Sequence, residues 1–465
     1  MNASATPNAA RWCDELKFNR LHAVVLIISS LILLFDGYAS TVIFFLIPHF
    51  MREWRLTPLQ AGSAQSATFF GMMVGSVLFG MLGDVIGRKK GLLLTILVFS
   101  LGTGFTYWAP NLSTLCTLRF LAGLGIGGAG PLIIALISEF SPSRVRAKAV
   151  SSIYVGFNIG PMMGSILAMV LLSRYTWRSL FLVEFLALIL FPAVCLYLPE
   201  SVRFLAQKGK NEAAIRELRK LEKAAGRSPV AWTPESLAVP ASAKIGIGKV
   251  FKSDLGVMTV LLWCVNFLVM LAFFGTQTWL PSMLMKAGHT MVRSYSFSLA
   301  FPIGGMIGML LIGGIMDRFG RKQALVPAFV CGGVATWLFG VFASDAGIYA
   351  MGFLIGLLIG GCSITGLAVV TGEIYPTQFR ASGTGWAAMI NKLGSMFGPL
   401  LGGAMQMTGL SFGQFFIVFA VPLFLGAVLV LFFRVNVRRE SLEAVTAKLT
   451  ATATRVAPSA GGPAP

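Results

Sequence analysis

Three charged side chains stand inside apolar stretches of the sequence. Asp36 lies in Leu33-Leu34-Phe35-Asp36-Gly37-Tyr38, Arg119 in Leu118-Arg119-Phe120-Leu121-Ala122-Gly123, and Lys392 in Met389-Ile390-Asn391-Lys392-Leu393-Gly394. A charge in hydrocarbon costs several kcal/mol, roughly 3 on insertion scales, so each must face protein, water or a ligand, or be neutralised. A buried carboxyl that takes up and releases a proton, beside an ammonium that meets an anion, is the material for moving an organic anion together with a proton. Asp36 and Arg119 are the candidates for handling the proton, and Lys392 for binding the anion. A purely structural partner is the competing role for Asp36, and an interhelical hydrogen bond for Lys392. Glu184 also lies within an apolar run, but near its Arg178 end, where it can simply reach the interface. Tyr38, Trp386, Asn391 and Gln277 supply rings and amides that suit a flat organic ligand by stacking and edge hydrogen bonds. For each ring taken singly, packing in the core or against lipid is the competing role.

These residues need helices to position them. Of 465 residues 56% are hydrophobic and 12% charged, and the mean hydropathy is +0.78. So few charges cannot cover a soluble surface. Apolar runs of spanning length fall near 22–48, 60–82, 91–109, 112–138, 148–171 and 177–198. Six more fall near 256–281, 293–316, 323–343, 347–372, 382–405 and 411–433. Lipid offers backbone no partner, so the spans must be helical and the chain all-α. The pattern implies a cytoplasmic lead (1–20), a first bundle (21–198), a cytoplasmic linker (199–254), a second bundle (255–434) and a disordered tail (435–465). Within the linker, Asn211 to Lys223 reads as an amphipathic helix laced with i,i+4 ion pairs.

The net charge of +19 does not indicate nucleic acid, because its placement follows the membrane. Of 37 Lys and Arg, only Arg52, Arg55, Arg174, Arg178, Lys286 and Arg293 fall in loops on one side, and Arg119 and Lys392 within spans. The remainder lie in the termini and the loops of the other side, which makes that side cytoplasmic and both termini with it. Six scattered cysteines form no metal or disulfide pattern. Three histidines near span ends assemble no catalytic set, and no Gly-x-x-x-x-Gly-Lys-Ser/Thr loop is present. The chain reads as no enzyme, with no cofactor and no metal. Its partners are a small organic anion, a proton and the bilayer; the oligomeric state is not readable, and the lengths allow a monomer.

The charged loops repeat. Gly80-Met81-Leu82-Gly83-Asp84-Val85-Ile86-Gly87-Arg88-Lys89-Lys90 returns as Gly313-Gly314-Ile315-Met316-Asp317-Arg318-Phe319-Gly320-Arg321-Lys322-Gln323. Glu139 with Arg146 returns as Glu373 with Arg380, again about 234 positions later. Two pairs in the same order imply two parallel halves of six spans each. Asp84, Arg88, Glu139, Arg146, Asp317, Arg321, Glu373 and Arg380 are candidates for interhelical ion pairs that hold one conformation and break in another, Glu139 pairing with Arg144 or Arg146. The competing account is that basic loops simply stay inside. Gly-Pro within spans, at Gly160-Pro161 and Gly398-Pro399, marks either a moving point or a fixed kink.

The repeated turn resembles the loop signature of the major facilitator superfamily between helices two and three, with its counterpart between eight and nine. Arg119 to Gly123 is similar to the helix-four arginine motif, which the family associates with proton coupling. Gly156 to Gly164 is similar to the helix-five Gly-Pro motif, and Pro199 to Leu205 to the segment closing helix six. The resemblance covers about residues 20–435 and implies twelve transmembrane helices in two six-helix bundles. Within the superfamily the chain looks most like the aromatic acid:proton symporters of bacterial inner membranes. Their helix-one signature carries two acids; here it reads Asp36-Gly37-Tyr38-Ala39, with Ala39 in place of the second. Their helix-eleven arginine is Lys392 here, which keeps the charge and loses the planar fork. The resemblance implies import of a benzoate or hydroxybenzoate by alternating access. The two departures admit a dicarboxylate such as muconate. Proton-driven efflux, a sugar porter and a non-transporting sensor are the other readings.

Overall fold

The computed structural model describes residues 9–142, 144–237, 255–341, 344–375 and 380–433, apart from the side chains of Ala10, Arg11, Ala147, Arg380 and Ala381. Among these residues the long helices are α1 Arg20–Glu53, α2 Pro58–Ile86, α3 Arg88–Trp108, α4 Leu112–Phe140, α5 Arg146–Leu171 and α6 Ser179–Tyr197. They continue as α7 Leu255–Lys286, α8 Met291–Phe319, α9 Arg321–Phe339, α10 Asp345–Ile374, α11 Arg380–Met407 and α12 Phe412–Leu431. Eleven are long and apolar enough to cross a membrane. The exception, α11, is diluted by Ser, Gly, Asn391 and Lys392, a composition suited to a helix shielded by its neighbours. The protein is an all-α membrane protein.

Side-chain caps start the helices: Asn19 accepts from Leu21 and His22 N–H groups, and Thr57 and Ser411 form reciprocal capping boxes with Gln60 and Gln414. The two repeated turns bend at equivalent glycines. Gly87 has φ +106° and Gly320 φ +100°, a backbone region that side chains disfavour, and each opens the next helix directly.

Helices α1–α6 pack chiefly on one another, as do α7–α12. In the first group α2 and α4 approach so closely that a methyl at Gly71 or Gly127 would meet the partner's backbone. In the second group α8 and α10 make the same approach through Gly304 and Gly356. The groups meet along α2–α11, α1–α7 and α5–α8. Ser66 Oγ donates to the Met396 carbonyl (2.7 Å), Ser165 Oγ to the Tyr295 carbonyl (2.5 Å) and Tyr295 OH to the Phe45 carbonyl (2.9 Å). His49 Nε2 lies 3.2 Å from the same Tyr295 hydroxyl. A break in α8 frees one acceptor, because Leu299 N–H bonds Ser296 and not Tyr295. All of these bonds lie toward the face opposite the charged loops.

The lead and linker fold together on the charged-loop face of the first group. Helices Ala9–Asp14, Val202–Gln207 and Asn211–Ala225 and the turn Pro234–Leu237 form a small cap. Trp12 meets Trp232 edge-on at 5.4 Å, and the buried Glu222 accepts from Trp232 Nε1 (2.7 Å) and Val230 N–H (3.0 Å). The amphipathic helix thus exists as expected, but its stabilisation differs. Glu222 serves the cap interior, and the helix carries a Glu217–Lys220 pair at i,i+3 and 2.8 Å. The expected disordered tail and residues 238–254 of the linker lie outside the described residues.

Candidate functional site

Asp36 sits in the buried central part of α1, and one carboxylate oxygen, Oδ1, is enclosed with no hydrogen-bond partner among the described residues. Gly37 beside it packs on the Phe157 carbonyl of α5, which fixes the depth of Asp36 between α1 and α5. The ammonium of Lys392, on α11 of the other group, exerts its charge on Asp36 without forming an ion pair with it. The two opposite charges therefore lie within electrostatic reach of each other, one on each helix group. Lys392 stands one helical turn from Met396, the acceptor of a bond between the groups, on the charged-loop side of it. Tyr154 of α5 also lies within electrostatic reach of Asp36. Asn391 Oδ1, next to Lys392, is enclosed and has no partner among the described residues.

Arg119 is fully buried within the first group. It donates from Nε to Thr68 Oγ1 (3.2 Å), from one terminal nitrogen to Thr103 Oγ1 (3.2 Å) and from the other to the Ala39 carbonyl (2.5 Å). Glu184 lies within electrostatic reach of it, is wholly buried and has both carboxylate oxygens unpartnered among the described residues. Glu184 lies within electrostatic reach of Asp36 as well. The interface position expected for Glu184 is thus corrected: α6 tightens to a 3₁₀ helix over Val183–Ile189 and turns the carboxylate inward.

The remaining candidates separate. Tyr38 is enclosed in the first group, where its hydroxyl donates to the Leu180 carbonyl at 2.6 Å and its ring neighbours Arg119 and Glu184. Trp386 stacks on Trp263 at 6.0 Å. At 3.6 residues per turn its side chain leaves α11 about 120° away from Lys392. Gln277 lines a pocket with Thr41, Phe44 and Pro161. Gly398 packs on Gly275 N at 2.7 Å for a built methyl, which places Gln277 beyond the Lys392 level, toward the face opposite the charged loops. The structure therefore puts Lys392 within electrostatic reach of Asp36 and holds Tyr38, Trp386 and Gln277 in other contacts. Sequence reading missed Tyr154. Its signal was the glycine row Gly156 and Gly160, which lays α5 against α1 backbone at Ser30 and Leu34.

The charged turns form two matched clusters among the described residues, one at each repeat. Arg88 bonds Asp84 (2.9 Å) and the Gly83 carbonyl (3.2 Å) and stands 3.8 Å from Glu139. Arg321 bonds Asp317 (2.9 Å), the Met316 carbonyl (3.1 Å) and, through two nitrogens, both oxygens of Glu373 (3.0 and 2.6 Å). Lys89 Nζ reaches the Cys195 carbonyl at the end of α6, and Lys322 Nζ the Leu431 carbonyl at the end of α12, at 2.8 and 2.9 Å. Glu139 is also held by Ser201 Oγ, so the segment closing α6 joins the first cluster. The expected pairing of Glu139 with Arg144 or Arg146 is replaced: Arg146 pairs with Asp14 of the lead helix and donates to the Ser141 carbonyl at 3.2 Å. The Arg380 side chain lies outside the described residues.

The Major Facilitator Superfamily model matches residues 29–365 and 297–459. The chain belongs to the major facilitator superfamily. Among its relatives in this superfamily, the benzoate transport protein of Acinetobacter baylyi is 29% identical over 437 residues, covering 93% of each chain. The gallate transporter of Pseudomonas putida is 31% identical over 423 residues, covering 90% of this chain and 93% of its own. The 4-hydroxybenzoate transporter of Acinetobacter baylyi is 31% identical, over 88% and 90% respectively. The inward-open xylose transporter of E. coli superposes with a TM-score of 0.73 at 17% identity, over 92% of this chain and 100% of that one, and shares the fold.

Proposed function

We propose that this superfamily member imports an aromatic carboxylate, of the benzoate or hydroxybenzoate class, together with a proton. The observation that carries the reading is the opposite charges Asp36 and Lys392, one on each helix group, within electrostatic reach of each other and not joined by an ion pair. A substrate carboxylate at Lys392 replaces Asp36 as its counter-charge, and Asp36 is then free to hold a proton. Neutralising both charges lowers the cost of moving the loaded site across the membrane. Asn391 and Tyr154 supply a polar edge and a ring to the aromatic body. The names and the near full-length match of the benzoate, gallate and 4-hydroxybenzoate relatives support the substrate class.

In this reading twelve helices form two six-helix bundles, residues 21–198 and 255–434, linked by 199–254. The charged-loop face is cytoplasmic in a bacterial inner membrane, since it collects the basic residues. The hydrogen bonds described between the groups lie toward the periplasmic side, which supports an inward-facing form in an alternating-access cycle. The paired clusters Asp84–Arg88–Glu139 and Asp317–Arg321–Glu373 brace each bundle so that it moves as a unit, and Arg146 and Arg380 flank them.

The test is uptake of radiolabelled 4-hydroxybenzoate and benzoate into proteoliposomes under an inward proton gradient. Wild type accumulates label, Asp36→Asn abolishes gradient-driven accumulation, and Lys392→Ala loses about 2 kcal/mol or more of substrate binding, roughly thirtyfold. Proton-dependent uptake surviving Asp36→Asn refutes the proton assignment. Folded wild type that accumulates neither acid refutes the substrate class.

A further inference from the structure

A second basic site lies on the joined face. The six cations of that face do not share one fate. Arg178 pairs with Glu53 at 2.8 Å, and Arg293 pairs with Asp345. Arg52, at the end of α1, and Lys286, at the end of α7, have no acidic partner among the described residues, and both line one pocket between the helix groups. Two like charges placed on opposite sides of a join repel each other and favour its opening. The pocket also contains enclosed polar atoms without partners among the described residues. Ser282 is 5% exposed, and its hydroxyl is unbonded; Gln406 accepts from Lys286 Nζ through Oε1 (2.5 Å) and leaves its Nε2 unbonded. The rest of the wall is apolar, from Pro48, Met51 and Leu56 of the first group and Met285 of the second. Two cations, a hydroxyl and an amide N–H beside an apolar wall form a donor set for an amphipathic anion.

We propose that this pocket binds a carboxylate between Arg52 and Lys286, and that the bound carboxylate holds the two helix groups together on this face. The anion touches a cation from each group and cancels their repulsion, so it binds the joined form better than the separated one and shifts the population toward it. With the proposed orientation the pocket faces the periplasm. External substrate then acts twice: at the central site it is carried, and at the join, at higher concentration, it delays reopening. The uptake consequence rests on the proposed import, whereas occupancy of the pocket does not.

Occupancy is read directly by labelling Lys286 with a membrane-impermeant acylating reagent and quantifying the modified peptide by mass spectrometry. Benzoate is expected to slow labelling several-fold in the full-length protein and in Lys392→Ala, and not in Arg52→Gln. Loss of protection in Lys392→Ala would show that benzoate acts from the central site and would overturn the proposal. Undiminished protection in Arg52→Gln would do the same, and equal protection by sulfate would overturn the carboxylate assignment. In proteoliposomes the initial rate is expected to pass through a maximum as external benzoate rises, and the decline to vanish in Arg52→Gln. A decline that persists in this variant would separate inhibition from the pocket. Absence of all transport with intact protection of Lys286 would refute import and leave the site standing.

Discussion

Arg119 and Glu184 lie within electrostatic reach of each other inside the first group, and their coupling can be measured without transport. Replacing Arg119 with Met removes donors to Thr68, Thr103 and the Ala39 carbonyl and leaves Glu184 as a wholly buried carboxylate without its compensating cation. Breaking such a pair costs about 3–5 kcal/mol. Glu184→Gln removes the charge but leaves Arg119 its three acceptors, and should cost about 1–2 kcal/mol. The pair makes no ion-pair contact, so its separation exceeds about 4 Å and its Coulomb energy, at an effective dielectric constant near 20, stays below about 4 kcal/mol. The double variant Arg119→Met/Glu184→Gln should accordingly be more stable than Arg119→Met alone by about 1–3 kcal/mol, as expected for directly coupled sites. The assay is thermal unfolding of the four purified proteins in one detergent, read by intrinsic fluorescence. A double variant as unstable as the sum of the single ones would refute the pairing and return Glu184 to a role with another partner.

Glu373→Gln should destabilise more than Glu139→Gln, by about 1 kcal/mol, because Arg321 grips Glu373 through two short bonds and Arg88 stands 3.8 Å from Glu139; the same unfolding assay ranks them. Gly37→Val should fail to accumulate as folded protein, since its side chain meets the Phe157 carbonyl, and size-exclusion chromatography reports it. Cys13 lies buried in the cap, where burial first and then the Asp14 carboxylate push its thiol up to about 12. Because only the thiolate reacts, alkylation of Cys13 should stay slow up to about pH 9 and rise steeply above it, and a denaturant should restore ordinary reactivity. Rapid labelling of folded protein at neutral pH would show that the cap is not formed.

What could be read in advance follows from where the determining interactions are local. The two charged turns were legible because their parts sit within eight residues: an acid, a glycine that must adopt positive φ, an arginine four positions after the acid. The partnership of Arg321 with Glu373 was not legible, because the repeat set Glu373 beside Arg380, and nor was that of Arg146 with Asp14, since a six-residue lead helix leaves almost no pattern. Lys392 and Asp36 stood out because charge is rare in hydrocarbon. Glu184 carried the same signal, but its direction depended on a local tightening of α6 that no periodicity announces. Trp386 and Lys392 are close in sequence, and only helical phase separates them. Tyr38 shows the same limit, because the group that takes its hydroxyl lies on α6, some 142 positions away.

The bonds that join the helix groups have an energetic consequence. Three of the four use a main-chain carbonyl as acceptor, and no buried ion pair among the described residues has to be broken for the groups to separate. Each such bond exchanges with water at a net cost of about 1 kcal/mol, so the polar part of the join amounts to roughly 4 kcal/mol. That is comparable to what one or two charges gain from about 100 mV of membrane potential, roughly 2.3 kcal/mol each. The acceptors also persist through changes of side chain, so drift in sequence can alter the strength of the join mainly at the donors Ser66, Ser165 and Tyr295. A join of this kind is set to be weighed against ligand and voltage, and its bias between open and closed can be retuned by a single hydroxyl.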